Sequence, residues 1–301
     1  MFRKYLPGLL LPLLFAFQAG AVEVLSVRTL GEAGYLSGVL YAEDMFIAAG
    51  GGAGIYVSDD GLRWEVVNAG TEGAFRNLAR GNGIFLAVGA SLTGKTPAAV
   101  SSDGRTWKTL TLDTVLNLED AAFGNGVFAA VGAGGAVFTS RDGRNWEERN
   151  SGSRNSLNGI TFAGGEFIAV GNSGTILSSP DGVNWQKRES PVTSHLNDVI
   201  FGGGIFLAAG GDGVILASKD GISWEARDSG TGHPISGAAH GGGKFIAVGW
   251  DGLLLVSGDG ANWRSTDSGT GSLLFGAAYG AGRFVLAGSG GTVVTLGERE
   301  D

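Results

Sequence analysis

The chain has 301 residues, 56 of them glycine and only 6 proline, with 43% hydrophobic content and no cysteine. That composition describes a turn-rich folded protein and excludes disulfide staples and thiol chemistry. Its 21 basic and 29 acidic residues leave a net charge of −8, which argues against nucleic acid or an anionic membrane as main partner, since both need a basic face.

Met1-Phe2-Arg3-Lys4 is followed by a mostly apolar run from Tyr5 to Phe17 and then Ala19-Gly20-Ala21. A basic start, an apolar middle and a small-x-small site predict a secretory signal peptide over residues 1–21, cut after Ala21. The apolar run is short for a membrane span, and no cysteine stands near the cut to carry a lipid. Losing Arg3 and Lys4 leaves 19 basic against 29 acidic residues, a net charge of −10, for a periplasmic or secreted chain.

Residues 22–28 (Val-Glu-Val-Leu-Ser-Val-Arg) alternate as a strand does. Beyond them Phe-x-x-x-Gly occurs seven times, beginning at Phe46, Phe85, Phe128, Phe167, Phe206, Phe245 and Phe284. Ser-x-Asp-Gly-x-x-Trp occurs six times, ending at Trp64, Trp107, Trp146, Trp185, Trp224 and Trp263, and from Trp107 onward the step is 39 residues. A fixed period of about 40 residues with strand-like content marks a radial β-repeat. One step back from Trp64 lands on Leu25, inside the first strand, and one step on from Trp263 passes the last residue. The seventh repeat is therefore expected to be split, with three strands from 274–297 and the fourth from 22–28. The expected fold is all-β: one domain over 22–297, a seven-bladed β-propeller of four-stranded blades closed by the first strand, with a tail at 298–301. A ring closed this way is expected to leave no open edge. In the repeat at 157–189, strands a to d are expected at Leu157–Phe162, Glu166–Gly171, Thr175–Ser179 and Asn184–Arg188, with a innermost. The d–a and b–c loops then share one face.

In Ser-x-Asp-Gly-x-x-Trp the carboxylate can accept turn N–H groups, the glycine can take positive φ, and the indole can pack between outer strands. Asp60, Asp103, Asp142, Asp181, Asp220 and Asp259, with the six tryptophans that follow them, are read as structural turn locks. The motif resembles the Asp-box (BNR) repeat. With Leu-x-x-Val-x-Phe before Phe-x-x-x-Gly, most of the chain is similar to the photosystem II assembly-factor type of propeller. It departs from the Asp-box pattern in placing glycine immediately after the aspartate. The resemblance implies a propeller that holds a partner protein, with aspartates that are structural. The sialidases, which share the Asp-box, imply three arginines around a carboxylate and a tyrosine nucleophile with a glutamate partner. At the inner-strand starts only Arg76 is basic; its equivalents are Ser37, Glu119, Asn158, Asn197, Ser236 and Phe275. No catalytic residue is assigned.

Gly89 to Thr96 matches the spacing of a phosphate loop, but Pro97 follows and the next turn lock begins at Ser101. No room remains for the helix whose N-terminus would face the phosphates. The stretch is read as an enlarged b–c loop, and no nucleotide or other cofactor is expected. Candidate binding residues gather on the d–a/b–c face: Arg76, Asp120 and Asp198 at the inner strands, His195 and His233 in d–a loops, and Asp212, Trp250 and Asp251 in b–c loops. Glu119, Asp120 and Asp198 could supply an acid and a base, or simply solvate a channel. Two histidines and an aspartate could ligate zinc, but their spacing carries no metal pattern and no metal is assigned. Trp250 replaces a small residue and suits an interface anchor or a sugar platform. The sequence points to an exported, monomeric, non-enzymatic scaffold binding a protein in the cell envelope, with an assembly or stability factor as the role the resemblance implies. The alternative is a carbohydrate-binding or glycan-cleaving propeller.

Overall fold

The computed structural model describes residues 22–31, 34–68, 73–90 and 94–298. The expected leader at 1–21, residues 91–93 of the enlarged loop and residues 299–301 of the tail lie outside the described residues. The chain opens with β1 (Val22–Thr29). The first two blades are β2–β5 (Leu36–Ala42, Met45–Gly50, Gly54–Ser58, Glu65–Asn68) and β6–β9 (Ala74–Gly81, Ile84–Ala90, Pro97–Ser101, Trp107–Thr111). The third and fourth are β10–β13 (Leu118–Gly124, Val127–Gly132, Ala136–Ser140, Glu147–Asn150) and β14–β17 (Leu157–Ala163, Glu166–Gly171, Ile176–Ser179, Gln186–Arg188). The fifth and sixth are β18–β21 (Leu196–Gly202, Ile205–Gly210, Ile215–Ser218, Glu225–Arg227) and β22–β25 (Ile235–Gly241, Lys244–Gly249, Leu254–Ser257, Arg264–Thr266). Last come β26–β28 (Leu274–Gly280, Arg283–Gly288, Thr292–Glu298).

Among the described residues these strands form seven four-stranded antiparallel sheets. The fold is an all-β seven-bladed propeller. Six sheets run in chain order; the seventh runs β26-β27-β28-β1, with Val22 opposite Glu298 and Thr29 opposite Thr292. β28 extends one residue past the expected domain end, because Glu298 is held by an ion pair with the buried Lys244 at 2.8 Å. The seventh blade is tied to the first where Thr295 Oγ1 donates to the Gly61 carbonyl at 2.6 Å and Arg283 Nη1 donates to the Asp60 carbonyl at 2.8 Å.

The core lies between blades. In one buried cluster Ala129, Val131 and Val137 of the third blade meet Leu157, Ile160 and Phe167 of the fourth, with Trp185 at its edge. Among the described residues seven such clusters occur, one at each blade junction. A middle strand buried on both faces needs continuous apolar sequence, which is why stretches such as Phe167-Ile168-Ala169-Val170 do not alternate. The glycine ending each of these strands has a steric reason. A Cβ on Gly171 would sit 2.0 Å from the Ser156 carbonyl oxygen, and the other repeats match.

At the lower end of the inner strands each blade seats one side chain on its own middle-strand phenylalanine. The pairs include Tyr41–Phe46, Phe123–Phe128, Phe162–Phe167 and Tyr279–Phe284, with ring centroids 4.7 Å apart. In the second blade Arg80 replaces the ring, with its guanidinium 4.6 Å from the Phe85 centroid. The preceding blade makes room with a glycine: a Cβ on Gly124 would lie 2.1 Å from the Phe162 ring, and one on Gly280 2.0 Å from Tyr41. The first and fourth blades have Ala42 and Ala163 at that place, and Phe201 of the fifth blade is 42% exposed.

β16 starts one residue later than expected because Thr175 closes the preceding turn, its N–H donating to the Asn172 carbonyl at 3.1 Å, and β17 starts two later because the locked turn absorbs Asn184 and Trp185. Ser179 Oγ donates to Asp181 Oδ1 at 3.0 Å, and the N–H groups of Val183 and Asn184 donate to the same oxygen at 2.8 Å. Asn184 Nδ2 donates to Oδ2 at 2.7 Å, and Trp185 Nε1 donates to the Gly182 carbonyl at 2.9 Å. The turn glycines of all six motifs have φ between 68° and 73°.

Candidate functional site

The locked turns lie on the face opposite the candidate residues, and their carboxylates are occupied. In all six, backbone N–H donors hold the aspartate below the usual carboxylate range, to about 2 at Asp181 and Asp220. The upper face is assembled by hydrogen bonds from b–c turns to the residues entering the inner strands. Gly51 N–H donates to the Tyr35 carbonyl at 2.9 Å, Asn172 to Ser156 at 2.9 Å, Gly211 to His195 at 2.8 Å and Trp250 to Pro234 at 3.2 Å. The middle residue of each turn is left-handed, including the non-glycines Ser173, Asp212 and Asp251 at φ 56°, 56° and 55°. Short polar side chains tolerate that region best.

Among the described residues the face carries several concavities, one of about 410 Å³ over the third blade beside Gly134 and Ser153. A second, about 500 Å³, opens on the axis and is lined by the inner strands. A bulge in each inner strand, at Ser37, Arg76, Glu119, Asn158, Asn197, Ser236 and Phe275, turns one side chain toward its mouth. Several of these side chains staple one blade to the next: Ser37 Oγ donates to the Phe75 carbonyl at 3.0 Å, Asn158 Nδ2 to Leu196 at 2.8 Å and Asn197 Nδ2 to Ile235 at 2.8 Å. Arg76 Nε stands 3.5 Å from Glu119 Oε2, and its guanidinium lies 5.7 Å from the Tyr35 ring centroid.

Asp120 and Asp198 lie one residue further in and point across blade junctions. Asp120 Oδ2 accepts the Ile160 N–H at 2.8 Å and Oδ1 the Ala121 N–H at 2.7 Å; Asp198 Oδ2 accepts the Ala238 N–H at 2.8 Å. Burial raises the Asp120 carboxyl well above its ordinary value, the Asp198 charge adds to the rise, and the N–H donors and Asn77 oppose it. Burial pushes Asp198 up to about 6 against its own N–H donors. A buried carboxylate costs several kcal/mol, and each charge-assisted hydrogen bond returns about 1.5–3 kcal/mol. The N–H donors offset only part of that cost, since both carboxyls stay raised.

Another concavity, about 380 Å³, lies over the sixth blade between the loops that enter and leave it and brings together His233, Trp250 and Asp251. Trp250 is 52% exposed. Its counterparts at the first position of this turn are Gly51, Ala133, Asn172 and Gly211. His233 Nδ1 stands 3.6 Å from Asp251 Oδ2. The remaining candidates stand elsewhere on the face: His195 Nδ1 accepts the Ser173 N–H at 3.1 Å, and Asp212 Oδ2 accepts the Ser194 hydroxyl at 2.8 Å. Among the described residues no three His, Cys, Asp or Glu side chains gather as metal ligands. In the enlarged loop, Lys95 pairs with Asp113 at 2.6 Å and Thr96 Oγ1 donates to the Leu116 carbonyl at 2.6 Å; Pro97 opens β8. Tyr35, which faces Arg76 and stands 6.1 Å from Phe275 between ring centroids, escapes the sequence reading because it precedes the strand and no repeat marker covers it.

No family model and no curated protein matches this chain. Solved structures do. YCF48 from Cyanidioschyzon merolae is similar at a TM-score of 0.72 and 16% identity, covering 92% of this chain and 99% of its own. A YCF48 bound to D1 peptide is similar at 0.73 and 17%, covering 91% and 95%. Virginiamycin B lyase from Staphylococcus aureus is similar at 0.81 and 10%, covering 93% and 100%. At these identities the likeness is one of fold. Among the described residues no helix is long and apolar enough to cross a membrane.

Proposed function

We propose that this chain is an exported, non-enzymatic scaffold of the Asp-box kind that holds a segment of a partner protein on its d–a/b–c face in the cell envelope. The observation that carries the reading is Trp250, exposed in a turn where other blades have small or amide side chains, beside a groove shared with His233 and Asp251. Large exposed aromatics next to a concavity are the usual anchors of protein interfaces. A protein of the same fold is bound to a peptide in its solved structure, and the axial carboxylates are already engaged by backbone donors. Arg76, Asp120, Asp198, His195 and Asp212 then shape and charge the face around the anchor. The glycan alternative draws on the same Trp250, since an indole beside polar groups also stacks on sugars.

Capture from envelope extract on immobilised chain tests both. The wild type is expected to retain a protein that Trp250→Ala retains about tenfold less well, while the melting temperature stays within about 2 °C. Equal capture by the two chains overturns the reading, and binding to a glycan array lost in Trp250→Ala transfers it to the alternative.

A further inference from the structure

Six of the seven outer strands are guarded as exposed edges usually are. β5, β9, β13, β17, β21 and β25 run for three to five residues, and each carries at least one charge. β1 is different. It runs for eight residues, pairs with β28 on one side, and has no strand on the other among the described residues. Val24, Leu25 and Val27 stand 38%, 43% and 43% exposed on it. A long apolar edge is a template for pairing with another chain.

The bulge in β1 decides which chain fits. Val24 pairs with Leu296 and Ser26 with Thr295, so Leu25 is the extra residue and Val24 and Ser26 occupy consecutive pleats. Side chains then fall on two faces: Val22, Val24, Val27 and Thr29 on one, Glu23, Ser26 and Arg28 on the other. The contacts agree, since Val24 and Val27 both approach Gly269. Counted in pleats, the strand reads the same from both ends about Ser26. A second β1 laid antiparallel would set Glu23 against Arg28 at both ends, Val24 against Val27, and Ser26 against its copy on the symmetry axis. Without the bulge, Glu23 and Arg28 would point to opposite faces and the match would fail. Glu23 and Arg28 are exposed and carry no ion pair among the described residues.

We propose that the outer edge of the closing blade is a homodimer site, in which β1 of two copies pairs antiparallel about a two-fold axis at Ser26. The interface is isologous, so each charge pair forms twice. It replaces the monomer expected from sequence and leaves both upper faces free for other partners. Sedimentation of the chain from Val22 to Asp301, which contains all seven sheets, is expected to show a monomer–dimer equilibrium in the micromolar range. Glu23→Arg and Arg28→Glu should each weaken the dimer about tenfold, and the double swap should return it to within about threefold, because attraction becomes repulsion at both ends and is then restored. Ser26→Lys, which places two charges on the axis, should leave monomer. A wild type that stays monomeric throughout, or a double swap no better than either single, overturns the proposal.

Discussion

Asp198 and the six turn aspartates shift in opposite directions, so they act on opposite limbs of the pH profile. The folded chain holds the Asp198 proton up to about pH 6 and the unfolded chain only to its ordinary value of 3.8. Between those values the folded state binds more protons, and stability falls as pH rises. Asp181 and Asp220, held down to about 2, contribute stability above pH 3.8 that is lost as pH falls through about 2. Asp198→Asn keeps an oxygen for the Ala238 N–H and removes the half-buried charge. It is expected to raise stability at pH 7.5 by about 1–2 kcal/mol and to flatten the profile between pH 4 and 6, leaving the acid limb. Urea titrations at pH 4.5 and 7.5 check this; a loss of stability at pH 7.5 would mean the charge itself is needed. The turn aspartates were legible in sequence because donors and acceptor lie within three residues. The role of Asp198 was not, since the N–H it accepts is 40 residues away.

The ends of the inner strands show how tightly one element constrains the next. Gly124 and Gly280 have no positive φ; what they lack is room, because the ring from the following blade occupies the place of a Cβ. Gly124→Ala is therefore expected to cost about 1–3 kcal/mol by overpacking, read as a fall in the denaturation midpoint with an unchanged slope. An unchanged midpoint would show that the Phe162 ring shifts freely, as the exposed Phe201 has room to do. The strands themselves were legible from Phe-x-x-x-Gly and the tryptophan step. The ring of aromatic seats was not, because Tyr, Phe, His and Arg all fill one structural position.

At the scale of the whole molecule, closure is the property most exposed to test. Each core cluster draws side chains from two blades, so an opened ring leaves a junction half-covered. Deleting residues 22–28 removes the outer ladder of the seventh blade and exposes the edge of β28. The melting temperature is expected to fall by more than about 10 °C, and a melt within a degree or two of the intact chain would show that the seventh blade stands on three strands. By itself the sequence determined the number of blades, the split seventh repeat and the location of every locked turn, because these are set by spacing along the chain and by contacts within a few residues. Only the tertiary structure decided that Trp250, His233 and Asp251 share one groove while His195 and Asp212 stand apart, that the axial aspartates are bonded to neighbouring blades, and that a bulge makes β1 self-complementary. Those facts depend on how blades fan around an axis and on pleat parity, and neither is written in the order of residues.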